Sequence, residues 1–168
     1  MYKEKNYKLW YRLSAGLLIL TALVHISGYF TNMLYILAWI LWMPVIALFV
    51  ICFFDYYGMS RFKPGIKKKV FSRESVKTPL FVLMCVVAAY VVFNFVYGFI
   101  MLSDVGDLQT VEGVYYSVKG DAMTEISYER YVSYALAGYR LLSGHGLVFV
   151  AVPVWYFGVR AKICRKDS

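Results

Sequence analysis

Apolar and polar residues fall into long blocks rather than alternating along this chain. Four runs are apolar almost throughout: residues 13–30 (LSAGLLILTALVHISGYF), 33–54 (MLYILAWILWMPVIALFVICFF), 79–102 (PLFVLMCVVAAYVVFNFVYGFIML) and 141–159 (LLSGHGLVFVAVPVWYFGV). At a rise of about 1.5 Å per residue, each is long enough for a hydrocarbon core of about 30 Å. Backbone in lipid must satisfy its own hydrogen bonds, so such runs predict helices. The pattern therefore predicts an all-α membrane protein, a four-transmembrane-helix bundle in one integral domain covering residues 1–168. Only Thr31 and Asn32 separate the first two runs, which predicts a tight antiparallel hairpin. The first run has a basic flank like a secretory signal. It lacks a small-x-small cleavage site, and a second span follows at once, so it reads as a retained helix.

Between the last two runs lies a polar segment, residues 103–140. Its start, SDVGDLQTVEG, reads as an acidic loop. VYYSV and AMTEI then flank KGD, a Gly-containing turn between β-branched and aromatic residues, which predicts a small β-hairpin. A lone hairpin is marginal, so it should lie on the bundle or on a partner. Ser127 suits an N-cap and Glu129 the first turn of a helix, where the dipole favours an acid. Nothing from there to Gly138 breaks a helix, so a helical extension should run straight into the fourth span. Tyr128, Tyr131 and Tyr134 recur every three residues, as an aromatic belt at the headgroups or as a surface for another protein.

Composition agrees with the block pattern. The chain is 61% hydrophobic and 19% aromatic, with mean hydropathy +0.58, whereas soluble domains are nearer half apolar. A net charge of +8 would suggest nucleic acid in a soluble protein. Here its distribution is a topology signal. Fifteen of the 18 Lys and Arg lie before the first run, in the loop 55–78 or after the fourth run, while residues 103–140 carry three against six acids. Basic residues collect on the cytoplasmic side. Both termini are therefore expected in the cytoplasm and residues 103–140 outside it, with a bacterial inner (plasma) membrane as the expected site. The basic loop should attract anionic lipid headgroups. No nucleic-acid fold or stacking series accompanies it.

Candidate chemistry is sparse. No acidic or basic residue lies deep in any run, which argues against a proton-coupled antiporter. HExxH, GxSxG and phosphate-loop motifs are absent, and three cysteines without a CxxC give no redox motif. What remains is polar groups near the outer ends of the spans. Thr21, His25, Gly28 and Asn32 share one face of the first span, as do Tyr90, Asn94 and Tyr97 in the third and Gly138, His145, Val152 and Tyr156 in the fourth. His25 and His145, the only histidines, fall at similar depth, roughly 6–7 Å below the outer boundary by residue count. One interpretation is an interhelical polar layer of His25, His145, Asn94, Tyr97 and Ser143 that fixes helix register. The other is a cofactor site: haem b held by both histidines, with Arg140 on a propionate, or a quinone or lipid in the same layer. Arg140 itself is expected to pair with Asp104 or Asp107 at the boundary. These absences favour a non-enzymatic accessory, scaffold or partner-binding protein without a cofactor. Residues 103–140 would be its recognition surface toward a membrane protein or a second copy. A haem- or quinone-binding electron carrier is the alternative.

Overall fold

The computed structural model describes residues 4–31, 33–62, 70 and 78–166. Three helices, α1 (Glu4–Ser27), α2 (Tyr35–Phe62) and α3 (Thr78–Leu102), precede three strands, β1 (Asp107–Val111), β2 (Val114–Lys119) and β3 (Ala122–Ile126). The chain closes with α4 (Tyr128–Lys166). All four helices are long and apolar enough to cross a membrane. The sheet sits at the end where α1 and α3 finish and α2 and α4 begin. The opposite, terminal end holds the start of α1 and the finish of α4.

The fourth helix organises the rest. Half of its apolar window is buried, against 22%, 28% and 17% for α1, α2 and α3. It packs on each of the other three helices. Val150 and Phe157 are fully enclosed along it. Phe149 meets Trp42 and Phe49 of α2 with ring centroids 5.6 and 4.9 Å apart. The outer faces of α1, α2 and α3 are apolar and open, with Ile36, Phe93 and Ile100 each about two-thirds exposed or more. Patches of that extent are stable in lipid rather than in water.

Helix boundaries differ from the apolar runs in instructive ways. Span one ends at Ser27 rather than Phe30, because successive turn hydrogen bonds run from Gly28, Tyr29 and Phe30 back to His25, Ile26 and Ser27. The second helix continues to Phe62, through the first part of the expected loop 55–78. The basic stretches 63–69 and 71–77, and Asn32 of the span-one polar face, lie outside the described residues. As expected, α4 runs unbroken from the polar segment that follows α3, 39 residues or about 58 Å long. That is nearly twice a hydrocarbon core, so its first turns stand clear of the apolar layer. The Ser127 hydroxyl caps it by accepting from the Arg130 N–H at 3.3 Å.

The expected hairpin is a three-stranded antiparallel sheet in the order β1-β2-β3. Residues 107–111, expected as loop, pair with β2 from Asp107↔Val118 to Val111↔Val114. The cause is turn chemistry. Glu112 and Gly113 both adopt positive φ, 51° and 84°, as a two-residue hairpin matched to strand twist requires. Gly106 leads into β1 against the β2 backbone, where a Cβ would fall 1.8 Å from the Val118 carbonyl oxygen. Tyr115 of β2 fastens the sheet to α4, its ring 5.2 Å from Tyr128 and 4.9 Å from Tyr131.

Candidate functional site

Among the described residues, two polar clusters, each with a cavity beside it, offer this scaffold more than packing. The first cluster lies toward the sheet end and joins α1, α3 and α4. His25, 3% exposed, has both ring nitrogens engaged: Nδ1 lies 2.8 Å from the Ser143 hydroxyl and Nε2 lies 2.6 Å from the Tyr90 hydroxyl. Ser143 spends its own proton on the Tyr139 carbonyl at 2.8 Å. The network therefore assigns the His25 proton to Nδ1, donating to Ser143, and leaves Nε2 to accept from Tyr90. Tyr29 completes the chain, its hydroxyl 2.6 Å from that of Tyr90. Asn94 donates to the Arg140 carbonyl at 3.1 Å. Tyr139, fully buried, donates to the Val24 carbonyl at 2.6 Å.

Small residues make this closeness possible. A Cβ on Gly28 would sit 2.8 Å from the Tyr139 ring, and one on Gly144 would sit 2.5 Å from the Asn94 amide. Helices in lipid attract one another through such close backbone approach and side-chain hydrogen bonds.

Of the residues expected in this layer, His25, Ser143 and Asn94 are brought together. His145 is not brought to His25. Its Nδ1–H donates to the Leu141 carbonyl of its own helix at 2.6 Å, and its ring meets the edge of Phe95 at 5.2 Å. Tyr97 is also apart, half-exposed and stacked on Phe93. The contact line of α3 runs through buried Val91, Asn94 and Gly98, and Tyr97 falls beside it. Arg140 meets neither Asp104 nor Asp107. It donates to the Gly28 carbonyl at 3.3 Å and lies over the Tyr29 ring at 4.9 Å. That carbonyl belongs to the end of α1, where unsatisfied acceptors and the dipole favour a cation. The exposed Asp104 instead faces Lys119 at 3.8 Å, because β1 draws its neighbour Asp107 into the sheet.

Haem b fits this arrangement poorly. An axial imidazole needs a free lone pair facing the iron, and the His25 lone pair is taken by Tyr90. The space beside two nearby glycines is filled from the neighbouring helices, Gly144 by Asn94 and Gly28 by Tyr139. Among the described residues no group of three His, Cys, Asp or Glu side chains is placed to hold a metal ion.

A second cluster, at the terminal end, joins α1, α2 and α4. Asp55 accepts from the Tyr156 hydroxyl at 2.5 Å and from the Tyr7 hydroxyl at 3.1 Å. Arg160, 2% exposed, donates to the Tyr7 oxygen at 3.0 Å and lies over its ring at 4.7 Å. Its Nε has no hydrogen-bond partner among the described residues. Close by, the Trp155 indole donates to the Val70 carbonyl at 3.1 Å. None of this was visible as a site in the sequence, where Arg160 counted as one more topology charge and Asp55 fell just past the second apolar run. One signal was present: Asp55, in FFDYY, is the only acid between Glu4 and Glu74.

Each cavity lies beside one cluster. At the sheet end, an open cavity of about 710 Å³ lies between the sheet, the start of α2 and the first turns of α4, lined by Tyr35, Tyr131, Tyr134, Leu108 and Asp107 among others. Toward the terminal end, about 290 Å³ lies between α2 and α3 with a wholly apolar lining that includes Phe49, Phe53, Met84, Val152 and Trp155. Comparison with family models, with curated proteins and with solved structures finds no match.

One displaced ionisation lies beside the sheet, at the start of α4. The Glu129 carboxyl is held below the usual carboxylate range by its own backbone N–H and by the Ser127 hydroxyl, in the first turn of α4.

Proposed function

We propose that this is a non-enzymatic membrane protein that binds a partner through its sheet end, with that end outside the cytoplasm and both termini inside. The observation that carries the reading is the cavity of about 710 Å³ beneath the sheet. Its lining mixes apolar side chains, tyrosines and one carboxylate, the composition of a recognition surface. The strands around it are held by Tyr115 packed on Tyr128 and Tyr131, so the surface is preorganised. The helices below supply anchorage, and their polar layer fixes register. The charge asymmetry of the sequence sets the orientation. The electron-carrier alternative is weakened by the engagement of both His25 ring nitrogens.

Photo-crosslinking residues at the exposed strand positions Gln109 and Met123, with Phe93 on the apolar face as control, test this reading in intact cells. A discrete adduct from the strand positions that is absent from the control is the expected result. No adduct from either strand position would contradict it. A visible Soret band in the purified protein, lost in His25→Ala, would instead support the haem alternative.

A further inference from the structure

The apolar cleft toward the terminal end lies away from the sheet and is a shaped site. Both α2 and α3 lean on α4, and the space between them is floored by Val152, Trp155 and Tyr156. On α2 its wall is Phe49, Cys52, Phe53 and Tyr56, an i, i+3, i+4, i+7 row along one helix face. Every exposed atom of the lining is apolar, so water finds no partners there. A packed helix interface would not leave a void of this size. At about 290 Å³ it lies near the lower limit of ligand cavities, about 300–1,000 Å³. That suits a flexible chain better than a folded partner's helix.

Charge on the same face identifies what the chain is attached to. Lys162 lies seven residues beyond Trp155, on the same face of α4 and about 10 Å nearer the terminal end. Its side chain is exposed, and Arg165 follows one turn later, also exposed. An acyl chain lying along the cleft would bring its headgroup to that level. We propose that the cleft between α2 and α3 holds one acyl chain of an anionic phospholipid, whose phosphate is met by Lys162. The proposal rests on the four helices being membrane spans. It does not depend on what the sheet end binds.

The test reconstitutes the full chain in phosphatidylcholine vesicles carrying a trace of photoactivatable lipid. The diazirine is placed mid-chain on either phosphatidylglycerol or phosphatidylcholine, and adducts are mapped by peptide mass spectrometry. Phosphatidylglycerol is expected to label the Phe49–Tyr56 and Met84 peptides in preference to the outward face of α3 around Phe93. Lys162→Glu should reduce that labelling about fivefold or more, as loss of one basic contact near the surface implies, while labelling by phosphatidylcholine stays unchanged. Val152→Trp should remove cleft labelling by filling the floor. Circular dichroism and melting of both variants report whether the fold is retained. Because Val152 is partly exposed and Lys162 is exposed, retention is expected. Equal labelling by both lipids in the cleft and at Phe93 would mean ordinary annular lipid and would overturn the proposal. So would a dimer on native mass spectrometry that Val152→Trp abolishes, because a second copy would then be the occupant.

Discussion

Gly144→Ala isolates the polar layer in a single methyl group. In a helix interior the change should stabilise by about 1 kcal/mol through backbone entropy. Here the new Cβ would stand 2.5 Å from the Asn94 amide nitrogen and 3.4 Å from His25 Cε1. The second distance is ordinary contact; the first is not. Asn94 is 6% exposed and has to swing away, breaking its hydrogen bond to the Arg140 carbonyl. Losing such a bond between helices in lipid costs about 0.6 kcal/mol on average and up to about 1.7. Forcing a methyl into a packed contact adds about 1–3 kcal/mol. Against the entropic gain, the net is a destabilisation of about 0.6–3.7 kcal/mol. In an Asn94→Ala background the obstacle is gone, and Gly144→Ala should stabilise by about 1 kcal/mol. The two changes should thus couple strongly in a double-mutant cycle, read by reversible unfolding in mixed micelles. If Gly144→Ala is stabilising in the unmodified chain, or shows the same effect in both backgrounds, the helix contact at Asn94 is wrong.

Other consequences can be checked alongside. Tyr90→Phe removes the donor to His25 Nε2 and should cost about 0.6–1.7 kcal/mol in the same unfolding assay, whereas Tyr97→Phe should be neutral, because Tyr97 lies outside the layer. Arg160→Met removes the buried cation that donates to the Tyr7 oxygen and should destabilise by about 1.5–3 kcal/mol in the same assay. Ser127→Ala removes one of the two bonds holding the Glu129 carboxyl low, so its titration by NMR should move up toward the ordinary carboxylate range. The sign follows from the direction of the shift. A folded-state carboxyl below its unfolded value contributes stability above the ordinary carboxylate range, and loses it as pH falls through the lowered folded value. That acid-side dependence should shrink in Ser127→Ala.

Much of the architecture was legible because span length and hydropathy are properties of single segments. Four helices and the unbroken passage from Ser127 into the last of them follow from runs and caps alone. The strand over residues 107–111 was hidden by its acidic context, and Glu112 gave no cue that it would accept positive φ beside Gly113. Depth counting put His25 and His145 in one layer but carried no information on azimuth. Gly144, which packs at His25, and His145, which turns to Phe95, are adjacent in the chain. Arg140 was expected to seek a carboxylate, yet the carbonyls ending α1 were nearer. The Asp55–Tyr7–Tyr156–Arg160 cluster was least legible, since its members come from three helices and each has an ordinary explanation where it stands.

Accessibility of the sheet from outside an intact cell bears most directly on the central claim, that the sheet end is an outward recognition surface. With the three native cysteines replaced by alanine, Thr124→Cys places a thiol on the exposed strand β3 and Lys162→Cys places one at the terminal end. A membrane-impermeant maleimide is predicted to label Thr124→Cys in intact cells, and to reach Lys162→Cys only after the membrane is permeabilised. Labelling of Lys162→Cys in intact cells with Thr124→Cys protected would contradict the account.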